Sequence, residues 1–171
     1  MKIRTSYFYQ IRNFTHNMIP VSTAIWDPSW FHAFTGDYFH LFKDKRGILN
    51  GLRIEPIIEQ GRQSNHGPDA CPCKTKDYST CSFLRQYREN LEKIDFNKMM
   101  ADMKDLANRY AVANKINEEI IIVLIVYETP TNPCSERKSL QDFFNTHGVE
   151  CKELDYPINS PASTKDEPFD F

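Results

Sequence analysis

Three features of the chain predict an α/β domain with a mostly parallel sheet. The run Ile120-Ile121-Ile122-Val123-Leu124-Ile125-Val126 is short, apolar and rich in β-branched residues, as in a strand buried on both faces. A turn containing Pro130 follows, then a stretch with Leu140, Phe143 and Phe144 on one helical face, then an extended piece at Val149–Leu154. Lys2–Phe8 and Ile19–Ile25 read as two further strands. A strand–helix–strand return of this kind lays its helix on one face of a sheet. Together they predict a three-layer Rossmann-like fold with a Cys-rich loop insert, one domain over residues 1–155.

The composition sets bounds. A chain of 171 residues with 40% apolar and 26% charged residues is long enough for one full core. The net charge of −2 argues against a mainly electrostatic nucleic-acid binder. The seven apolar residues Ile120–Val126 are too few to span a bilayer, and no other segment is a candidate, so no membrane contact is expected. The first residues lack a continuous apolar stretch, so no signal peptide is expected and a cytoplasmic location is the default. In that compartment five cysteines suggest metal or chemistry before disulfides.

In chain order, Lys2–Phe8 is the first strand, and Tyr7, Ile11 and Phe14 recur at a helical spacing after it. Ile19–Ile25, with Pro20 at its start, leads into the aromatic loop Trp26-Asp27-Pro28-Ser29-Trp30-Phe31. Trp26 and Trp30 together can stack on a base or another flat ligand; the alternative is that they cover the end of the core. Residues 31–60 show no clean period, although Leu49-Asn50-Gly51-Leu52-Arg53 looks like a turn into a short extended piece. Arg53 can offer an anion-binding fork at its end.

Residues 61–81 form a polar, Cys-rich loop. Cys71, Cys73 and Cys81 follow a Cys-x-Cys-x7-Cys spacing, with His66 five residues upstream. Three thiolates with His66, or with Cys134, complete a tetrahedral zinc set. An iron–sulfur cluster on the four cysteines is the alternative cofactor, and a loop with reduced thiols the bland one. Ser82–Asn114 is helical in period: Leu84, Tyr87, Leu91 and Ile94 form one stripe, and Phe96 to Tyr110 a second, Met-rich one that reads as core. Asp95 is placed to cap the second helix. Residues 156–171, with three prolines among Ser, Thr and charged residues, read as a disordered tail.

Ligands of open α/β sheets bind beyond the carboxyl ends of the strands. After the central strand, Asn132 suits an N-cap and Pro133 the first helical position, with Gly148 just past the far end. Cys134 and Ser135 then fall in the first helical turn, where free amides and the helix dipole favour an anion and the Cys134 thiolate. Arg137 adds a full charge one turn in. The structural alternative has Glu128 capping or pairing with Arg137, and Cys134 as a small buried residue.

Thr5-Ser6-Tyr7-Phe8, Pro20-Val21-Ser22 before the Trp loop, and Val126-Tyr127-Glu128 followed by Cys134 and Arg137 resemble the domain of unknown function 488 family, also called YeaO-like. The likeness runs from about Ile3 to Leu154 with a poorly matching middle. Many members carry Cys-His-Arg at the helix start; this chain has Cys134-Ser135-Glu136-Arg137, similar to bacterial and phage members with a Cys-rich insert. The resemblance implies a compact α/β domain and, by loose association, nucleotide or nucleic-acid transactions.

Two function classes follow. In the first, an enzyme acts on a nucleotide, nucleobase or nucleic-acid base. Arg53, Arg137, Ser6 and Ser135 hold the anion, Trp26 and Trp30 flank the base, Glu128 serves as general acid or base, Tyr7 assists, and Cys134 is a nucleophile if no metal claims it. In the second, the same site binds without catalysis. It sequesters a nucleotide signal, as a phage anti-defence protein would, or docks a protein partner.

Overall fold

The computed structural model describes residues 1–33, 49–64 and 81–155. Among these residues six strands form one sheet in the order β3-β4-β2-β5-β1-β6, with every pairing parallel. They are β1 Lys2–Tyr7, β2 Met18–Ser22, β3 Phe31–Ala33, β4 Leu49–Arg53, β5 Ile121–Val126 and β6 Cys151–Glu153. The predicted central strand is central: β5 lies between β1 and β2. Its residues alternate between two cores. Ile122, Leu124 and Val126 face one, Val123 and Ile125 the other, which explains the unbroken apolar run.

The two faces are covered differently. α1 (Glu55–Gln63), α2 (Ser82–Leu91), α3 (Phe96–Asn114) and α4 (Arg137–Thr146) all contribute to the larger core, through residues such as Ile57, Leu91, Met103 and Phe143. The other face is covered by Phe8 and Ile11 of a 3-10 helix, Phe8–Asn13, with Ala24, Trp30 and Phe31. Handedness accounts for this division. The β4-to-β5 and β5-to-β6 connections step one way along the sheet, and β1-to-β2 and β2-to-β3 step the other way. Right-handed crossovers in opposite directions fall on opposite faces.

Some expected elements shift. β2 ends at Ser22 rather than Ile25, and β6 starts at Cys151 rather than Val149. The aromatic loop ends in a three-residue strand, β3, that its sequence does not announce. α1 occupies a stretch without a clean period, with Pro56 in its first turn where a missing N–H costs nothing. Asp95 caps α3 by accepting from the Lys98 amide at 3.0 Å. α4 begins at Arg137, four residues after the expected Pro133. The reason is local: the Asn132 side chain accepts from the Cys134 amide at 2.9 Å, which closes a turn instead of a helix. The far end is as expected, with Gly148 at φ +80° just beyond the last turn.

Candidate site at the carboxyl edge of the sheet

β5 and β1 send their chains to opposite faces, and in open α/β sheets ligands bind at such a point, here beyond the carboxyl end of β5. The residues that reach it come from the exits of β1, β2, β4, β5 and β6 and from the start of α4.

Two arginines organise this edge. Arg53, at the end of β4, forms an ion pair with Asp27 and another with Glu55 at 3.2 Å. Its Nη2 also donates to the carbonyls of Ala24 and Ile25, at 3.3 and 3.4 Å. The other Asp27 oxygen accepts from the Ser22 hydroxyl. Arg137, at the start of α4 and only 7% exposed, donates from Nε to Glu153 at 2.7 Å. Its Nη2 and Nη1 donate to the carbonyls of Glu128 and Thr129, at 2.7 and 3.0 Å. Each arginine therefore binds a carboxylate and two carbonyls of the chain leaving a neighbouring strand. Neither presents the open fork expected for a phosphate.

Acid accumulates at the Arg137 end. Glu128 Oε2 and Glu153 Oε1 are buried and accept no hydrogen bond from the described residues. Burial raises the Glu153 carboxyl, opposed by Arg137 and by the Thr5 hydroxyl that donates to it at 2.8 Å. Glu136, just ahead of α4, is pushed up to about 7 by burial and by the neighbouring charge of Glu128. A carboxylate at a helix N-terminus is ordinarily favoured in its charged form, so burial wins here. The same Glu136 charge adds to burial in raising the fully buried Tyr87 hydroxyl of α2. Among the described residues no three His, Cys, Asp or Glu side chains converge on a metal-binding arrangement.

The remaining expected site residues separate into groups. Tyr127 bridges the two ends: its hydroxyl donates to the Trp26 carbonyl at 2.6 Å, and burial together with the Asp27 charge raises its pKa. Trp26 is 80% exposed, whereas Trp30 packs edge-on against Phe8 with ring centres 5.9 Å apart. The two tryptophans thus do different things, and only Trp26 offers a free face. Tyr7 accepts from Gln10 at 2.9 Å. Ser6 is fully buried at the end of β1. Ser135 is buried and its hydroxyl accepts from the Arg137 amide at 3.2 Å. Cys134 lies in the turn before α4, outside the first helical turn. Cys81 is buried immediately before α2, while Cys71, Cys73 and His66 lie outside the described residues. Glu136 is the residue that sequence reasoning missed. Its one signal is its place between Ser135 and Arg137 in the motif after β5.

No family model, no curated protein and no solved structure matches the chain. No described helix is long and apolar enough to cross a membrane.

Proposed function

We propose that the site beyond β5 binds a nucleobase-bearing small molecule and moves a proton at its base. The observation that carries this reading is the coupling of Glu128 and Glu136: Glu136 is pushed up to about 7 by burial and by the Glu128 charge, and Glu128 keeps a buried oxygen that accepts no hydrogen bond from the described residues. A protonated carboxyl next to a carboxylate offers one hydrogen-bond donor and one acceptor. That combination suits the amide or amidine edge of a base and is the arrangement of a general acid with a general base. Trp26, held by Tyr127 through its carbonyl, supplies an exposed aromatic face for stacking. Arg53 and Arg137 are committed to protein acceptors, so recognition runs through the base more than through phosphate.

Calorimetric titration with adenosine, guanosine, cytidine and their 5′-monophosphates tests this. At least one nucleoside is expected to bind, with its monophosphate of similar affinity, and Glu128→Gln to weaken it about tenfold, the loss of one charge-assisted hydrogen bond. Binding that follows the phosphate, or none, would count against the reading. Conversion of the bound compound separates the two classes: Glu128→Gln abolishes turnover in an enzyme, whereas in a sequestering protein it alters affinity alone.

A zinc ion on Cys71, Cys73 and Cys81, with His66 or Cys134 as fourth ligand, is a separate proposal that rests on residue type and spacing. Elemental analysis of protein purified without added metal should return about one zinc per chain. Visible absorption would point to iron–sulfur, and freely titrating thiols without metal would remove the proposal.

A further inference from the structure

We infer that Arg137 is a positioning residue that fixes the exit of β5, and with it the Glu128 carboxyl, through a relay reaching back to β1 and β6. This inference rests on the reading of Glu128 and Glu136 as the acid–base pair.

The relay is continuous. Gln141, one turn after Arg137 on α4, donates to the Thr5 hydroxyl at 2.7 Å. Thr5 donates to Glu153 Oε2 at 2.8 Å, and Arg137 Nε donates to that same oxygen at 2.7 Å. The remaining guanidinium nitrogens hold the carbonyls of Glu128 and Thr129. Three elements, β1, β6 and α4, thereby converge on two consecutive peptide units. Those peptides belong to a stretch of ten residues between β5 and α4 that has no helix or strand of its own. The Ser135 hydroxyl ties the other end of this stretch to the Arg137 amide. One residue therefore grips both ends of the loop bearing Glu128 and Glu136. Only a guanidinium can do this: its planar fork reaches three acceptors at fixed angles, whereas a lysine ammonium offers one point charge. The cluster is not needed to hold the sheet together, since β1 pairs directly with β5 and β6 through the backbone.

Two variants that leave the net charge unchanged, Arg137→Lys and Thr5→Val, test the inference. Amide exchange and the carbonyl-carbon shifts of Glu128 and Thr129, followed by NMR, are read in each. Slow exchange should persist in Ile122–Val126. Exchange at residues 128–136 should quicken about tenfold in Arg137→Lys, as expected for loss of a strong hydrogen bond, and less in Thr5→Val. The carbonyl-carbon shifts of Glu128 and Thr129 should move in the same order, a response that loss of packing elsewhere would not produce. Should Arg137→Lys fail to fold, Thr5→Val alone decides. The inference is overturned if the exchange and the carbonyl-carbon shifts match wild type in the variants that fold. Failure of every nucleoside to bind would refute base recognition alone, because neither readout requires a ligand.

Discussion

The two ends of the carboxyl edge use the same device to different effect. Arg53 and Arg137 each take a carboxylate and two main-chain carbonyls of a neighbouring strand's exit. At the Arg53 end the charges are matched: both Asp27 oxygens have donors, and Glu55 stands exposed at the rim. At the Arg137 end acid is in surplus, because Glu128 and Glu153 keep buried oxygens without donors among the described residues and Glu136 is pushed up to about 7. A latch that satisfies every group is structural. A latch that leaves buried acid beside it retains groups able to exchange protons with a ligand.

The largest expected effect breaks the Arg137 latch. Arg137→Ala leaves Glu153 with the Thr5 hydroxyl as its one donor among the described residues, and strips the carbonyls of Glu128 and Thr129 of theirs; it should cost roughly 3–5 kcal/mol of stability in chemical denaturation. Arg53→Ala should cost less, roughly 1.5–3 kcal/mol, because the Arg53 side chain is 16% exposed against 8% for Arg137. A reversed order would remove the distinction between the ends.

The pH dependence sharpens it. The Glu136 pKa is higher in the folded chain than in the unfolded one, so the folded state binds the proton more tightly. Its contribution is intact below the ordinary value of 4.5 and is lost as pH rises through about 7. Stability should therefore fall by up to roughly 2–3 kcal/mol across that window, and Glu136→Gln should flatten the slope. The two glycines on the Arg53 side give smaller effects of opposite sign. A Cβ on Gly51, two residues before Arg53, would lie 2.1 Å from the Phe31 ring. Gly51→Ala should thus destabilise by roughly 1–3 kcal/mol. Gly61 inside α1 has room, with nothing closer than 3.6 Å. Gly61→Ala should stabilise by up to about 1 kcal/mol without changing the Glu136 titration.

Much of the scaffold is legible in the sequence because it is written as periodicity. The β5 run is apolar at every position since both faces are buried, and the stripes of α2 and α3 bring Tyr87, Leu91, Met99 and Met103 into one core. α1 is harder to read because Gln60, Gly61 and Arg62 interrupt its stripe, although Gln60 and Gly61 are buried. α4 starts later than its sequence predicts because Asn132-Pro133 carries a strong helix-start signal that the chain spends on a turn. The site is less legible. The position of Glu128 follows from the end of β5, but the commitment of Arg53 and Arg137 to carbonyls depends on loop paths that sequence spacing does not encode. The raised acid of Glu136 depends on burial, which charge pattern alone does not reveal.

The most direct test of the central claim is a carbon-detected NMR titration of the glutamate side chains in the wild-type chain and in Glu128→Gln. The account predicts a Glu136 midpoint near 7 that falls when the Glu128 charge is removed, yet stays above the ordinary carboxyl range because burial remains. A Glu136 carboxyl that titrates at the ordinary value in the wild type would contradict it.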